Sequence, residues 1–313
     1  MLPYYFIVNE KSRRGKAKKI WATVETELKR KEVEYEAFLT EYVGHATELA
    51  AMLSEKTSEL DMGEFLRIVV VGGDGTMDEV INGISDFSKI HFGYIPTGSG
   101  NDLCRGLGIA KQPLVNLQYI LKHTQVRAMD LGSVHYGDGE KHYFAISSGI
   151  GLDAEVCERV ERSKLKSVLN ALGAGKLTYL FKTLEALFTM PVCSAKVILD
   201  GEKKIALKRM IFLVAMNHRF EGGGIPMAPN ANAYDGVLTL CLAYGFSRGR
   251  AFLALPSLLA GSHEKLKGFH IINCRTIDVC LDQDMYLHAD GEIFGKYNSI
   301  HFECEPHKLY LMM

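Results

Sequence analysis

Residues 66–80 read LRIVVVGGDGTMDEV, and this stretch decides the fold. The apolar run at 66–71 is typical of a buried β-strand, and a helical pattern begins at Thr76. Glycines let the backbone between them turn sharply and approach a ligand, and the N–H groups of a helix N-terminus attract phosphate. An ordinary glycine turn is the alternative. Asp74 favours a phosphate-binding loop, because an acidic side chain beside phosphates can bind a metal ion or polarise a hydroxyl group.

A second loop of the same kind follows the next strand-like run. Residues 90–95 have the strand pattern, and residues 96–102 read PTGSGND. Consecutive parallel strands end at the same edge of a sheet, where ligands bind. The two glycine-rich loops are therefore predicted to face one crevice, and the pair is more specific than either loop alone.

The pattern around these loops predicts an α/β fold with two domains. Over residues 1–128, strand-like runs alternate with helical periodicity, which favours a Rossmann-like, mostly parallel α/β domain. Over residues 129–295, strand-like runs bounded by Gly or Asp predict a mainly antiparallel β-sandwich. Residues 296–313 could pack back onto the first domain.

Composition excludes several classes of protein. A net charge of -1 over 313 residues gives no field for nucleic acid, so no nucleic-acid partner is expected. Seven cysteines without a CxxC pair indicate free thiols in a reducing compartment. No apolar run reaches the roughly 18–20 residues that a membrane span needs. We expect a cytoplasmic protein whose membrane contact is peripheral and transient. The sequence leaves open whether it forms a homodimer.

The motifs together resemble one known family. GGDGT at 72–76, followed by MDEVING at 77–83, resembles the nucleotide-binding segment of the diacylglycerol kinase catalytic-domain family. That family includes bacterial diacylglycerol and related lipid kinases, sphingosine kinases and ceramide kinases. GSGND at 98–102 resembles its GTxND segment, and DLG at 130–132, DG at 235–236 and DGE at 290–292 resemble its later motifs in order. Glu10 and Arg13 depart from its NPxSGxG segment, and Asp78 stands where the family has Asn.

The resemblance implies ATP and Mg²⁺ as cofactors and makes residues 1–128 the nucleotide-binding domain. The implied nucleotide contacts are Asn9, Ser12, Thr40, Gly72, Gly73, Asp74, Gly75, Thr76, Met77, Asp78, Glu79, Ser99 and Asn101. Phosphoryl transfer also requires neutralisation of the γ-phosphate charge, for which Lys16 and Arg105 are candidates.

The resemblance further implies metal sites. It suggests Mg²⁺ at the Asp235 carboxylate and at nearby carbonyls such as those of Asn232 and Val237, since oxygen ligands suit a hard cation. A second Mg²⁺ is expected near the nucleotide. The residues that could hold it, directly or through water, are Asp74, Asp102 and Asp130.

The motif Asp290-Gly291-Glu292 is the candidate for the catalytic base. Its local sequence alone favours a β-turn, for which Asp-Gly is a common choice. By analogy with the family, Asp290 is the preferred general base for an attacking hydroxyl, and Glu292 is the alternative.

Residues 164–190 carry an apolar stripe at helical spacing, with Leu177, Phe181, Leu184 and Phe188 among its members. The stripe is typical of a helix that faces a core. The alternative is an amphipathic surface that admits acyl chains or touches an anionic bilayer.

The combined expectation is an ATP- and Mg²⁺-dependent kinase that phosphorylates a lipid hydroxyl, with diacylglycerol, giving phosphatidic acid, as the leading acceptor. ATP, the lipid substrate and a membrane surface are then the partners, and residues 129–295 carry the lipid and metal sites. A nicotinamide dinucleotide (NAD) kinase-like enzyme also uses GGDGT and stays an alternative. The other alternative is a non-catalytic module that binds nucleotide or lipid.

Overall fold

The computed structural model describes residues 2–122, 126–162 and 175–313. The strands are β1 Tyr4–Val8, β2 Tyr35–Leu39, β3 Leu66–Gly72, β4 Ile90–Pro96, β5 Val126–Tyr136, β6 Glu140–Phe144, β7 Ser147–Gly151, β8 Cys193–Leu199, β9 Lys203–Met216, β10 Leu238–Tyr244, β11 Phe269–Cys274, β12 Thr276–Ala289 and β13 Glu292–Met312. The helices are α1 Lys16–Arg30, α2 His45–Glu55, α3 Asp74–Gly83, α4 Asp102–Leu107, α5 Pro113–Lys122, α6 Leu152–Arg162, α7 Gly175–Thr189 and α8 Arg248–Leu259.

The N-terminal part is a parallel sheet in the order β4-β3-β1-β2, with helices on both faces. Alternate residues of β3 pack into two separate cores. Ile68 and Val70 pack with residues of α2 and α3, whereas Val69 and Val71 pack with residues of α1 and α5. Burial on both faces explains why the strand is apolar throughout rather than alternating.

The C-terminal part is mainly antiparallel. β7 lies between β9 and β12, β10 lies between β9 and β11, and β8 pairs with both β9 and β12. The inward residues of these strands form one apolar core that includes Val134, Leu213 and Leu287. The predicted fold class, a parallel α/β domain followed by a β-sandwich, is confirmed.

The two parts share strands. Tyr310 and Leu311 of β13 pair in parallel with His91 and Phe92 of β4, so the end of the chain lies beside the N-terminal sheet. β5 runs antiparallel to β13 and contains the sequence boundary at residues 128 and 129, which stays a prediction. In the part of the chain that the structure describes, no helix combines the length and apolar character needed to cross a membrane.

Candidate active site

Four predicted site segments begin where the four parallel strands end. Asn9, Thr40, Gly73 and Thr97 follow β1, β2, β3 and β4. The backbone ladder continues one residue past the strands, because Asn9 N donates to Val71 O at 2.9 Å and Thr40 N to Val8 O at 2.9 Å. Thr97 N likewise donates to Gly72 O at 2.7 Å. The structure therefore brings these segments to one edge of the sheet, as predicted from parallel pairing.

The two glycine loops touch through their backbones. A Cβ built on Gly73 would lie 3.3 Å from Gly98 Cα, and a Cβ on Gly98 would lie 2.9 Å from Gly73 Cα. Asn101 fixes the second loop in a left-handed turn at φ 50°, with its Nδ2 donating to Gly98 O at 2.9 Å. Ser99 is exposed between them. Glycine is required at positions 73 and 98 because a side chain at either one would push the two loops apart.

The N-terminal segment is tied to the start of α3. Asn9 Nδ2 donates to Thr76 Oγ1 at 3.0 Å, and Ser12 N donates to Asn9 Oδ1 at 3.1 Å. Thr76 also packs over Gly72, where a Cβ would lie 2.5 Å from Thr76 Cβ. Lys16, the first residue of α1, is exposed. The N–H groups of Thr76 and Met77 donate to Gly73 O at 3.1 Å each, so those of Asp74 and Gly75 are the ones at the start of α3 that suit phosphate.

Three side chains that the resemblance assigned to the nucleotide are engaged elsewhere. Met77 is buried in the apolar core between α3 and the sheet. Asp78 is buried and its Oδ1 lies 2.9 Å from His142 Nε2 of β6. Glu79 accepts the N–H of Ala46 at 3.1 Å, at the start of α2. These side chains hold α3 against its neighbours, and the expectation that the three residues contact the nucleotide stays a prediction.

Asp74 and Asp102 form a carboxylate pair between the loops. Asp74 Oδ2 accepts the N–H of Asp102 at 2.9 Å, and Asp74 Oδ1 accepts the Tyr94 hydroxyl at 3.3 Å. Asp102 contacts the Arg105 guanidinium and accepts the N–H of Gly223 at 2.6 Å. Burial raises the pKa of both carboxyl groups, so a neighbouring positive charge would stabilise the ionised form of each. The pair can take part in binding a cation.

Asp130 does not join that pair. Among the described residues, Asp74, Asp102 and Asp130 do not place carboxylate oxygens within 4.8 Å of one another. Asp130 is fully buried, and its oxygens accept the N–H groups of Gly236 at 2.7 Å and His307 at 2.8 Å. The expectation that Asp130 helps to hold a metal with Asp74 and Asp102, directly or through water, stays a prediction.

Asp130 instead lies beside Asp235. Asp235 is exposed, and its Oδ1 accepts the N–H of Val237 at 3.3 Å. Burial raises the pKa of Asp235, and the charge of Asp130 adds to the effect. Asn232 is exposed in the same loop. An exposed carboxylate with the charge of a second, buried carboxylate nearby fits a hard divalent cation that uses oxygen ligands.

Asp290 is held by the backbone of the C-terminal domain. Its Oδ2 accepts the Ala145 N–H at 2.8 Å, and its Oδ1 accepts those of Ile146 at 2.8 Å and Ser147 at 2.9 Å. Burial, with the charge of Asp78, nevertheless raises its pKa to about 7. A carboxylate has about four lone-pair sites, so the three bonds fix its position and leave one for a substrate hydroxyl.

Glu292 of the same motif reaches the other domain. It is exposed, and its Oε1 would lie 3.7 Å from a Cβ built on Gly75 in the first turn of α3. The DGE motif therefore borders the same cleft as the glycine loops, although more than 200 residues separate them in sequence. The cleft combines the glycine loops of one domain with a fixed carboxylate from the other.

Several site residues escaped the sequence analysis. Asn82 clamps the domains together, because its Nδ2 donates to Tyr143 O at 3.0 Å and its Oδ1 accepts the Tyr143 N–H at 2.8 Å. Its spacing of four from Asp78 was a usable signal, since both lie on one helix face. Asp153, Glu221 and His288 meet beneath Asp290 and are spread over 136 residues, so no motif spacing could reveal them.

Two of these residues, Glu221 and His288, have shifted pKa values. Burial, with the charge of Asp153, raises the pKa of Glu221 to about 8. Burial disfavours the charged form of His288, but the carboxylate of Asp153 outweighs it and raises the pKa of His288 to about 9. Ser147 connects this group to Asp290, because its Oγ donates to Glu221 Oε1 at 2.6 Å.

Comparison with known families matches both parts of the chain. Residues 3–134 match the diacylglycerol kinase catalytic domain. Residues 146–313 match the YegS C-terminal NAD kinase beta sandwich-like domain. The chain is similar over 99% of its length to the crystal structure of a diacylglycerol kinase from Bacillus anthracis, with a TM-score of 0.74, 20% identity and 96% of that chain covered. This last likeness concerns the fold.

Sequence relatives agree with the family matches. A Bacillus subtilis protein named "Putative lipid kinase YtlR" is 30% identical over 297 residues, covering 94% of each chain. A diacylglycerol kinase of Bacillus subtilis is 30% identical over 254 residues, covering 80% of this chain and 79% of the relative. The chain belongs to the diacylglycerol kinase catalytic-domain family of lipid kinases.

Proposed function

We propose that the protein transfers the γ-phosphate of ATP, with Mg²⁺, to the hydroxyl of diacylglycerol and so forms phosphatidic acid. The observation that carries this proposal is the shared cleft. A glycine cradle at the N-terminus of α3 faces Glu292, and Asp290 is fixed two residues away. The relatives named diacylglycerol kinase support this choice of acceptor.

The nucleotide would lie along the edge formed by β1 to β4. Backbone N–H groups of the first turn of α3 would bind phosphate oxygens, because a helix N-terminus carries partial positive charge. Gly75 leaves room for them, since a Cβ there would meet only Glu292 Oε1 within 4 Å among the described residues. When bound, Mg²⁺ supplies positive charge that neutralises the phosphates; Asp74 and Asp102 are the residues placed to hold it.

Asp290 would orient the acceptor hydroxyl and take its proton. Three backbone N–H groups prevent the carboxylate from rotating, so its position is set before the lipid arrives. Arg105 would stay with Asp102 and Gly100 O, and would position the second loop rather than contact the acceptor.

Asp235 would hold a separate Mg²⁺ that organises the C-terminal domain. Asp130 adds negative charge beside Asp235 and anchors the following turn through Gly236. The residues that would bind the ion are Asp235 and, through their carbonyls, Asn232 and Val237.

Contact with a membrane would occur through α7 and α8. Phe181 is 67% exposed and Leu253 is 75% exposed, and Phe188 and Phe252 lie against each other with ring centroids 6.3 Å apart. Of the expected amphipathic segment 164–190, residues 164–174 lie outside the described residues, and the described side chains begin at Phe181. Arg162 on neighbouring α6 has 76% of its side chain exposed, and its guanidinium contacts the Glu158 carboxylate.

An acceptor panel tests the proposal. Radiolabelled ATP and Mg²⁺ are supplied with mixed micelles of diacylglycerol, monoacylglycerol, a sphingoid base, phosphatidylglycerol or undecaprenol, and in parallel with NAD or no acceptor. We expect most label in the diacylglycerol product. Dominant labelling of NAD would support the NAD kinase-like alternative, and no labelling of any acceptor would support a non-catalytic module.

A further inference from the structure

Three side chains of the C-terminal domain meet at a point that the proposed transfer reaction does not use. Asp153 lies in the first turn of α6, Glu221 follows β9, and His288 lies near the end of β12. One ligand atom from each lies within 4.8 Å of the other two. His288 Nε2 contacts Asp153 Oδ2 and lies 3.7 Å from Glu221 Oε1. The imidazole nitrogen thus lies close to both carboxylates.

Four polar atoms of this group lack hydrogen-bond partners among the described residues, whereas Glu221 Oε1 accepts the Ser147 hydroxyl. His288 is fully buried and Glu221 is 8% exposed. In the described part of the chain, no hydrogen bond reaches either ring nitrogen of His288, Glu221 Oε2 or Asp153 Oδ2. Buried polar atoms without partners are rare and each costs about 1–3 kcal/mol, so a bound ion or water is the usual explanation.

A protonated His288 shared by the two carboxylates is the simpler explanation. That arrangement requires an N–H···O hydrogen bond to at least one carboxylate. Within the described residues, the contact between His288 and Asp153 lacks hydrogen-bond geometry, and Glu221 Oε1 is too distant for a good bond. Ligand atoms that converge without bonding one another form an arrangement that a metal ion would stabilise.

We propose that Asp153, Glu221 and His288 bind one divalent first-row transition metal ion, such as Zn²⁺ or Mn²⁺. One imidazole nitrogen and two carboxylates suit these ions, whereas Mg²⁺ prefers oxygen ligands alone. Two carboxylates also balance the charge of the ion in a buried position. The Asp153 side chain is 20% exposed and gives the ion a path from solvent.

The ion would stabilise the surroundings of the proposed base. It would join α6, β12 and the loop that starts at Glu221. Ser147 donates its hydroxyl to Glu221 and its N–H to Asp290, and Gly223 of the same loop donates to Asp102. The site would therefore position both halves of the cleft without touching the substrate.

Cobalt provides the direct test, because Co²⁺ bound by nitrogen and oxygen ligands absorbs visible light. The full chain is stripped with EDTA, dialysed and titrated with Co²⁺, and bound Zn²⁺ is counted separately by elemental mass spectrometry. We expect one equivalent of either ion to remain bound in the presence of millimolar Mg²⁺. His288→Asn, Glu221→Gln and Asp153→Asn should each weaken Co²⁺ binding at least tenfold.

Two control variants distinguish this site from other metal ligands. His301→Asn removes a partly exposed histidine whose Nδ1 lies 2.7 Å from Asp278 Oδ1, so it offers the same ligand types at the surface. Asp235→Ala removes the proposed Mg²⁺ ligand. Both should keep the Co²⁺ spectrum. Circular dichroism establishes that Asp153→Asn, which changes the least buried ligand, is folded. An unchanged spectrum in folded Asp153→Asn, or no Co²⁺ binding by the unmodified protein, would overturn the proposal.

Discussion

Asparagine at position 290 would remove the charge of the proposed base while keeping its turn. Asp290 has φ 47°, a left-handed conformation that asparagine also adopts. The carboxylate accepts three backbone N–H groups, but an amide has one acceptor oxygen. If that oxygen accepts the N–H groups of Ile146 and Ser147, the amide nitrogen lies against the Ala145 N–H, and two donors face each other. One bond to a charged group is then lost, which lowers the free energy of unfolding by about 1.5–3 kcal/mol.

The effect on catalysis should be larger than this loss of stability suggests. Removing a general base lowers kcat by about 10²–10⁴-fold. The dissociation constant of ATP should stay within a few-fold, because Asp290 is bound to the backbone of residues 145–147 and not to the glycine loops. The assays are initial rates of phosphate transfer to diacylglycerol in mixed micelles and calorimetric titration with ATP, below the melting temperature of the variant.

Asp200→Asn is the matched control. Asp200 also has a left-handed backbone, at φ 51°, and its Oδ1 accepts the N–H groups of Arg275 at 2.7 Å and Thr276 at 3.0 Å. It lies in the turn between β8 and β9, away from the cleft. A kcat for Asp290→Asn within threefold of the unmodified value would refute the base assignment, and Glu292→Gln would be measured next. An equal loss in Asp200→Asn would show that instability causes the effect.

The pH dependence adds a second criterion for the same residue. The raised pKa of Asp290, about 7, means that its carboxylate is mostly protonated below pH 7 and cannot accept a proton there. The rate should therefore rise through pH 7, where about half of the carboxyl groups are ionised, and level off above it, and Asp290→Asn should lack this rise. A rate that is independent of pH between 5 and 8 would contradict the role.

The remaining predictions concern the nucleotide, the metal, the membrane and the thiols. Gly75→Val should abolish calorimetric ATP binding in a folded protein, while Gly249→Val, at the second position of α8 with nothing within 4 Å of its Cβ, should keep it; equal ATP affinity in both would contradict the cradle. Asp235→Ala should lose the rise in melting temperature that Mg²⁺ gives, and an unchanged Mg²⁺ titration would exclude the site. Leu253→Glu should reduce co-sedimentation with anionic vesicles at least threefold, whereas Met62→Glu, at a fully exposed position, should not. An equal loss in both variants would contradict a membrane contact through α8. Exposed Cys280 should react first with a thiol reagent at pH 8. Burial protects most of the other thiols and raises the pKa of Cys304, for example, to about 12. Faster labelling of a buried cysteine would contradict the packing.

Local patterns predicted the architecture and the phosphate edge well. The apolar run at 66–71 and the two glycine loops gave the parallel strands and their common edge, since strand ends and glycine turns depend on residues close in sequence. The resemblance supplied the DGE motif, whose local sequence favours a plain turn. Its place opposite Gly75 depends on how the domains pack.

Side-chain direction was harder to predict. Met77, Val80 and Ile81 share a helix face by their spacing, so the periodicity of α3 already indicated that Met77 faces the core. The sequence did not indicate that the Asp130 carboxylate accepts the backbone N–H groups of residues 236 and 307, which lie far from it in sequence. Contacts between residues far apart in sequence, such as His288 with Glu221, leave no local pattern.

Identification of the phosphorylated product tests the central claim most directly. The protein is incubated with ATP, Mg²⁺, diacylglycerol and NAD together, and the products are separated and identified by mass spectrometry. The account predicts phosphatidic acid as the main product, its loss in Asp290→Asn, and no phosphorylated NAD. Phosphorylated NAD as the main product, or consumption of ATP without phosphatidic acid, would contradict it.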